Sequence, residues 1–390
     1  MSGALRLLLA VVVILSHFAG DPYYKHFGYY AVSVFFILSG FAITAALNEV
    51  YAFDLKRFWM NRALRLLPLY YITLAATLGT VLALPGETAR FSTHWAGPSL
   101  HDFWLNLLLL PMMSWEHQFR LVMPAWSVAV EILMYAYLSL GFARRKSYAT
   151  WLFATAVVFH ALTALGGDGW HTRYFDPHAA TLGFSIGALI YFQRKQRLSK
   201  ISPRAVPPLL MLWTANMICG GWILSDDYAR LGGYYLNSII GAALVAALAD
   251  WRPAATLRVV DAYMGELAYP VFLCHWLAGF AVALATFSPE VRGTGFALAA
   301  ILASLGIAVV MASLNARCIE PMRRNIRRGA GITVPRTRGG RGGHRRRSMI
   351  PRLQSQPCPG GALLHCRNQR IGESGGRLAG TGAAQQAGEP

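Results

Sequence analysis

Arg6 and His17 interrupt an apolar stretch near the start of the chain, eleven residues apart. In an α-helix that separation is about three turns, so both side chains leave nearly the same face, about 16 Å apart along the axis. Ionisable groups inside a bilayer are expensive and mark a functional path, here a cation near one end and an imidazole toward the other. The plain alternative is that Arg6 snorkels to the headgroups and His17 caps the helix at the far interface. Glu131, seven residues into a later apolar segment, adds a carboxylate. At similar depth, Glu131 would orient the His17 imidazole and raise its basicity, giving a general base; a purely structural buried pair is the other reading. Arg62 and Arg65 are three apart, which on a helix puts both guanidinium groups on one face and suits a phosphate cluster. Ser39 and Gly40 form a small notch within an apolar segment, fit for close helix packing or for the passage of a thin ligand. His275 is a further imidazole, a core histidine or a participant, with Pro270 loosening the backbone upstream.

The elements that must hold these residues are membrane helices. Of 390 residues, 55% are hydrophobic and only 14% charged, well under the share found in soluble domains. The expected fold is all-α, a polytopic membrane helix bundle of about ten transmembrane helices. The apolar segments fall at 4–19, 29–48, 67–84, 124–142, 149–166, 179–193, 206–225, 233–250, 264–286 and 294–316. A further apolar stretch at 103–110 is too short to cross and reads as a re-entrant or interfacial piece. The five cysteines have no metal or redox spacing, and no metal site is expected.

Loop charge gives the bundle a direction. Lys56, Arg57, Arg62 and Arg65, then Arg144, Arg145 and Lys146, then Arg194, Lys195, Arg197, Lys200 and Arg204, then Arg252 and Arg258 occupy alternate loops. The intervening loops hold only Lys25, Arg90 with Arg120, Arg173, Arg230 and Arg292. The positive-inside rule then places both termini in the cytoplasm. Arg6 lies on the cytoplasmic side, and His17 and Glu131 in the outer half. The first segment has no clear small-residue cleavage site and reads as a retained helix rather than a signal peptide. Two regions are expected: 1–328, the membrane domain, and 329–390, a basic Gly/Arg-rich cytoplasmic tail without apolar periodicity and therefore disordered. The formal charge of +18 owes much to that tail and these loops, so no nucleic-acid partner is expected. The long outer loop 85–123, with His94, Trp95, His101, Trp104, Trp115, Glu116 and His117, has the side chains for stacking on sugars, as interfacial loops often do.

Taken in order, these pieces resemble the acyltransferase 3 family of membrane-bound O-acyltransferases of cell-envelope glycans. The resemblance covers about residues 4–325. It rests on Arg6 and His17, on Phe35-Phe36 with Ser39-Gly40, on Arg62 and Arg65 with Pro68 and Tyr70, on Trp126-Ser127 with Glu131, and on Tyr269 with His275. The family implies transfer of an acyl group, usually acetyl, from cytoplasmic acyl-coenzyme A to a hydroxyl of a carbohydrate or glycolipid acceptor at the outer face. Acyl-coenzyme A is then a donor substrate, and no permanently bound cofactor is expected.

On this reading Arg62, Arg65 and Arg6 would serve the donor's phosphates, and its thin arm would pass Ser39 and Gly40. His17 would act as general base or as transient acyl carrier, oriented by Glu131. The location is a bacterial inner membrane, multi-pass. No soluble esterase-like domain follows the membrane part, so the chain is expected to act alone or with a separate partner. The alternative is a proton-coupled transporter or flippase of a lipid-linked glycan, with His17, Glu131 and His275 as a proton relay.

Overall fold

The computed structural model describes residues 3–20, 24–114, 119–167, 169–194, 201–249, 251, 254–286 and 292–328. The tail 329–390, and Trp115, Glu116, His117, Lys195, Arg197, Lys200 and Arg252, lie outside the described residues. Among the described residues there are helices and no strands. In chain order they are α1 (Gly3–Phe18), α2 (Lys25–Ala45), α3 (Leu55–Ala83), α4 (Pro85–Phe91), α5 (Leu100–Leu108), α6 (Ala125–Tyr137), α7 (Lys146–Leu165), α8 (Trp170–Phe175), α9 (Thr181–Arg194), α10 (Val206–Ile218), α11 (Asp226–Arg230), α12 (Gly232–Ala249), α13 (Ala255–Ala285), α14 (Thr294–Cys318) and α15 (Glu320–Arg328). Wide π-turns extend α2 to Val50, α6 to Phe142 and α10 to Ile223.

Each of the ten apolar segments coincides with a helix, and 7 of these helices are long and apolar enough to cross a membrane. The other three are shorter, and local chemistry bounds two of them. Helix α9 has 14 residues because Pro177 and the Asp176 side chain, which accepts from the His178 amide, hold the preceding turn as a 3-10 turn. Helix α10 has 13 residues, opens on Pro207 and Pro208 and gives way to the π-turn Cys219–Ile223. Helix α1 has 16 residues.

Helix α1 is clasped by α2, α13 and α14. At its first turn the Ala4 amide donates to Asp261 Oδ1 (3.0 Å), which satisfies one of the free N–H groups there. A side chain on Gly3 would run into the backbone of α13 at Asp261 and Gly265, so the two helices cross almost in contact. At the other end a Cβ on Gly28 of α2 would lie 2.5 Å from Ser16 Oγ. Both ends of α1 are therefore fixed by small-residue crossings, the usual device where lipid removes the hydrophobic drive for helix association.

Gly40 belongs to a similar crossing, which corrects one expectation from the sequence. A Cβ there would sit 2.2 Å from the Phe184 carbonyl oxygen on α9, and one on Gly187 would sit 2.1 Å from the Ile37 oxygen of α2. The space beside Gly40 is filled by helix backbone, so this glycine packs α2 on α9 and is no passage for a ligand. Gly40→Ala should therefore lower folded yield and melting temperature, by about 1–3 kcal/mol of overpacking strain. Thermal melts of the purified variant check this; normal stability with selective loss of donor binding would return Gly40 to the ligand path.

The segment before α6 is folded inward. Asn106 of α5 accepts from the Leu121 amide (2.9 Å) and donates to the Phe119 carbonyl (3.3 Å). Trp95 donates its indole N–H to the Arg120 carbonyl (2.9 Å), so this tryptophan is core and unavailable for sugar stacking. Arg120 is fully buried, donates to the carbonyls of Met112 (2.9 Å) and Ser114 (2.5 Å), and burial pushes its pKa down to about 10. Residues 119–125 are all buried, so α6 begins inside the bundle rather than at its rim.

Candidate active site

Two of the cavities along α1 carry its ionisable side chains. The first, which we call the arginine cavity, is lined by Arg6, Ser39, Arg65, Glu131, Tyr269 and Phe272 among others, with about 660 Å³ of empty space including its mouth. The second, the histidine cavity, is lined by His17, Lys25, Tyr29, Trp126, Tyr174 and His275 among others, with about 710 Å³ counted in the same way. Val32 and Phe272 line both and form a shared wall. The continuous α1 helix thus presents Arg6 to one cavity and His17 to the next, as the eleven-residue spacing predicts.

In the arginine cavity Glu131 Oε1 accepts from Ser39 Oγ (2.9 Å) and, in a short contact, from the Tyr135 hydroxyl one turn along α6. Arg6 is within electrostatic reach of Glu131, Arg62 and Arg65. Arg62 spreads its guanidinium 5.5 Å from the Phe58 ring centroid and 5.9 Å from that of Tyr135. Its Nε is buried without a hydrogen-bond partner. Tyr269 is anchored by a hydrogen bond from its hydroxyl to the Leu66 carbonyl (3.0 Å). Among the described residues Glu131 is the single acid lining this cavity.

The expected pairing of His17 with Glu131 is not what the fold makes. The pairing assumed that α6 starts at the membrane rim, which would put its seventh residue level with His17. Because residues 119–125 are already buried, it is Met123, Pro124 and Trp126 that share the histidine cavity with His17. Glu131 lies five residues further, about 7–8 Å along the axis, at the level of Ser39 and Arg6. The partner that α1 does present to His17 is α13. The His275 ring stacks on His17 with centroids 5.4 Å apart and planes at 21°, and Trp276 lies at 5.6 Å.

His275 is 1% exposed. Its Nδ1 lies 2.7 Å from the Phe272 carbonyl, which can only accept, so Nδ1 carries the proton and Nε2 presents a lone pair. That Nε2 and the Trp276 indole N–H are both buried without partners. The unused Nε2 acceptor of His275, which lines the cavity with His17, is what a reacting hydroxyl would satisfy. Aromatic side chains surround the rest of the space: Trp126 lies 5.6 Å from Tyr174, and Tyr29 lies 4.6 Å from Tyr174. Among the described residues no group of His, Cys, Asp and Glu side chains is placed to hold a metal ion.

The model of the acyltransferase domain of the acyltransferase 3 type matches residues 3–313. The chain belongs to the acyltransferase 3 family. Among its acyltransferase relatives, a Bacillus subtilis protein with the provisional name peptidoglycan O-acetyltransferase is 25% identical over 290 residues, which is 64% of this chain and 44% of that protein. A Staphylococcus aureus protein provisionally named O-acetyltransferase is 23% identical over 348 residues, 81% of this chain and 56% of that one. The peptidoglycan O-acetyltransferase OatA of Listeria monocytogenes is 23% identical over 355 residues, 81% and 54% of the two chains. This acyltransferase 3 chain spans about half the length of the curated relatives it matches. No solved structure matches it. Apolar helices and family together make it a membrane protein.

Of the seven catalytic and donor-binding residues expected in the acyltransferase 3 pattern, Arg6, His17, Ser39, Arg65 and Glu131 line the two cavities, and Arg62 and Gly40 line neither. The sequence reading named His275 without pairing it to His17, and it missed Tyr135. The Tyr135 signal was present, since a tyrosine four residues after a glutamate on a helix lies over it. Nothing in the sequence marks the stacking of His275 on His17, because α1 and α13 are about 250 residues apart in the chain and meet only by packing.

Proposed function

We propose that the chain moves an acyl group, acetyl in the first instance, from cytoplasmic acyl-coenzyme A to a hydroxyl of a cell-envelope carbohydrate. The observation that carries this is the pair of cavities meeting at Val32 and Phe272, one lined by the Arg6 and Arg65 guanidinium groups and the other by the His17 and His275 imidazoles. The positive-inside distribution of loop charge supports an inner-membrane location with both termini in the cytoplasm. Arg6, Arg62 and Arg65 would then face the side from which coenzyme A arrives, and guanidinium forks suit its phosphates. The pantetheine arm would pass Ser39 and the wall at Val32 and Phe272 to bring the thioester to His17.

At His17 the acceptor oxygen forms a bond to the acyl carbon while the carbon–sulfur bond breaks. The hydroxyl proton goes to imidazole and then to the departing thiolate. His17 can take that proton directly, or first carry the acyl group on a ring nitrogen, with His275 Nε2 as proton acceptor. Glu131, hydrogen-bonded to Ser39 and Tyr135, offsets the charge of the arginines. Trp126, Tyr29 and Tyr174 offer faces for a sugar ring, and the peptidoglycan named for two of the relatives is the first acceptor to try. A flippase with a relay through His17, Glu131 and His275 is less well supported, since Glu131 is committed to Ser39 and Tyr135 in the other cavity.

Purified protein is expected to hydrolyse acetyl-coenzyme A slowly in detergent, and cells expressing it to show an acetyl-sized mass increment on one envelope polymer. Absence of both would remove the acyltransfer reading.

A further inference from the structure

Helix α15 carries four arginines, of which the reaction described above uses none. Its single acid, Glu320, serves three of them: Arg323 Nη1 at 2.8 Å, Arg324 Nε at 3.5 Å, and Arg327 in a short contact. The arginines are not equivalent. The Arg324 side chain is 63% exposed, as a cation flanking a membrane helix should be, whereas that of Arg323 is 13% exposed. Helix α15 packs on α3, with Ile326 against the main apolar cluster and the Asn61 amide donating to the Arg323 carbonyl (3.4 Å). That docking buries most of the Arg323 side chain against α3, the helix that carries Arg62 and Arg65, both within its electrostatic reach, and leaves its Nε buried without a partner.

Around Arg62 and Arg65 the described residues place four arginines, Arg6, Arg62, Arg65 and Arg323, against two acids, Glu131 and Glu320, and Glu320 is shared with Arg324 and Arg327 of its own helix. Guanidinium groups gathered with so little local counter-charge repel one another unless an anion joins them. Flanking charge for topology alone would not need Arg323 to be buried.

We propose that Arg323 is a fourth phosphate-binding cation of the donor site, held by Glu320 until a phosphate ester arrives. This rests on the donor reading above. A lipid headgroup offers the same phosphate chemistry, so the test must separate the two sources.

Coenzyme A binding is measured on the full chain in zwitterionic nanodiscs for the protein as it stands, for Arg323→Gln and for Arg324→Gln, with melting temperatures in parallel. Loss of one charged phosphate contact is expected to weaken binding about tenfold in Arg323→Gln, with Arg324→Gln within about twofold of the unaltered protein. Should Arg323→Gln fail to fold, Arg323→Lys keeps the charge, loses the planar fork and is expected to lose about threefold. Unchanged affinity in Arg323→Gln, or equal losses in the two glutamine variants, would overturn the inference while leaving the donor reading intact. So would a variant that keeps coenzyme A but no longer retains added phosphatidylglycerol, which would mark a headgroup site. Failure of the unaltered protein to bind coenzyme A would instead overturn the donor reading itself.

Discussion

Replacing His17 with alanine is expected to abolish acyl transfer, by roughly 10²–10⁴-fold for loss of a general base and further if the imidazole carries the acyl group. Coenzyme A binding and melting temperature should stay close to those of the unaltered protein. His17 lines a cavity, its contacts with His275 and Trp276 are ring contacts, and Arg6 and Arg65 line the other cavity, beyond Val32 and Phe272. Transfer of labelled acetyl to isolated envelope polymer measures the loss, and an unaltered rate in His17→Ala would rule out the proposed chemistry. Incubation with labelled acetyl-coenzyme A without acceptor, then quenching and peptide mapping, distinguishes base from carrier. Label on the His17 peptide shows the carrier. His275→Ala should fall between the two proteins, because it removes the Nε2 lone pair but leaves His17 in place.

Glu131→Ala is the second large effect, expected in stability before chemistry. Among the described residues the carboxylate is the single acid lining the cavity that holds Arg6 and Arg65, and Arg62 is within electrostatic reach of Arg6. Removing the counter-charge from a half-buried cluster of this kind costs about 1–3 kcal/mol, since the remaining cations lose their compensation. The melting temperature should drop, and coenzyme A should raise it more in the variant than in the unaltered protein, because its phosphates supply negative charge to the same arginines. If Glu131 instead served only to orient His17, the variant would melt normally and lose turnover alone. Comparing thermal shifts with and without coenzyme A separates the two roles.

Much of the site was legible in one dimension. The spacing of Arg6 and His17 is a property of a single helix, and 3.6 residues per turn is enough to place both on one face. The same holds for Arg62 and Arg65, and for the apolar segments, each of which became a helix. Gly40 was ambiguous because a glycine in an apolar helix reads alike whether a ligand or another backbone lies against it. The helix opposite decided it, with the Phe184 carbonyl filling the space.

Arg6 and His17 mark how far the sequence by itself reaches. It determined that this chain is a bundle of membrane helices, that a cation and an imidazole share one face of the first, and that the pieces fit the acyltransferase 3 pattern. Only the tertiary structure decided which groups meet them: Glu131 with Arg6, and His275 with His17. The reason is geometric. Hydrophobicity and charge locate a helix along the membrane normal, but a buried loop such as 119–124 can displace a helix start by several residues. Which helix faces which is set by close crossings such as Gly3 on Gly265, between segments far apart in the chain.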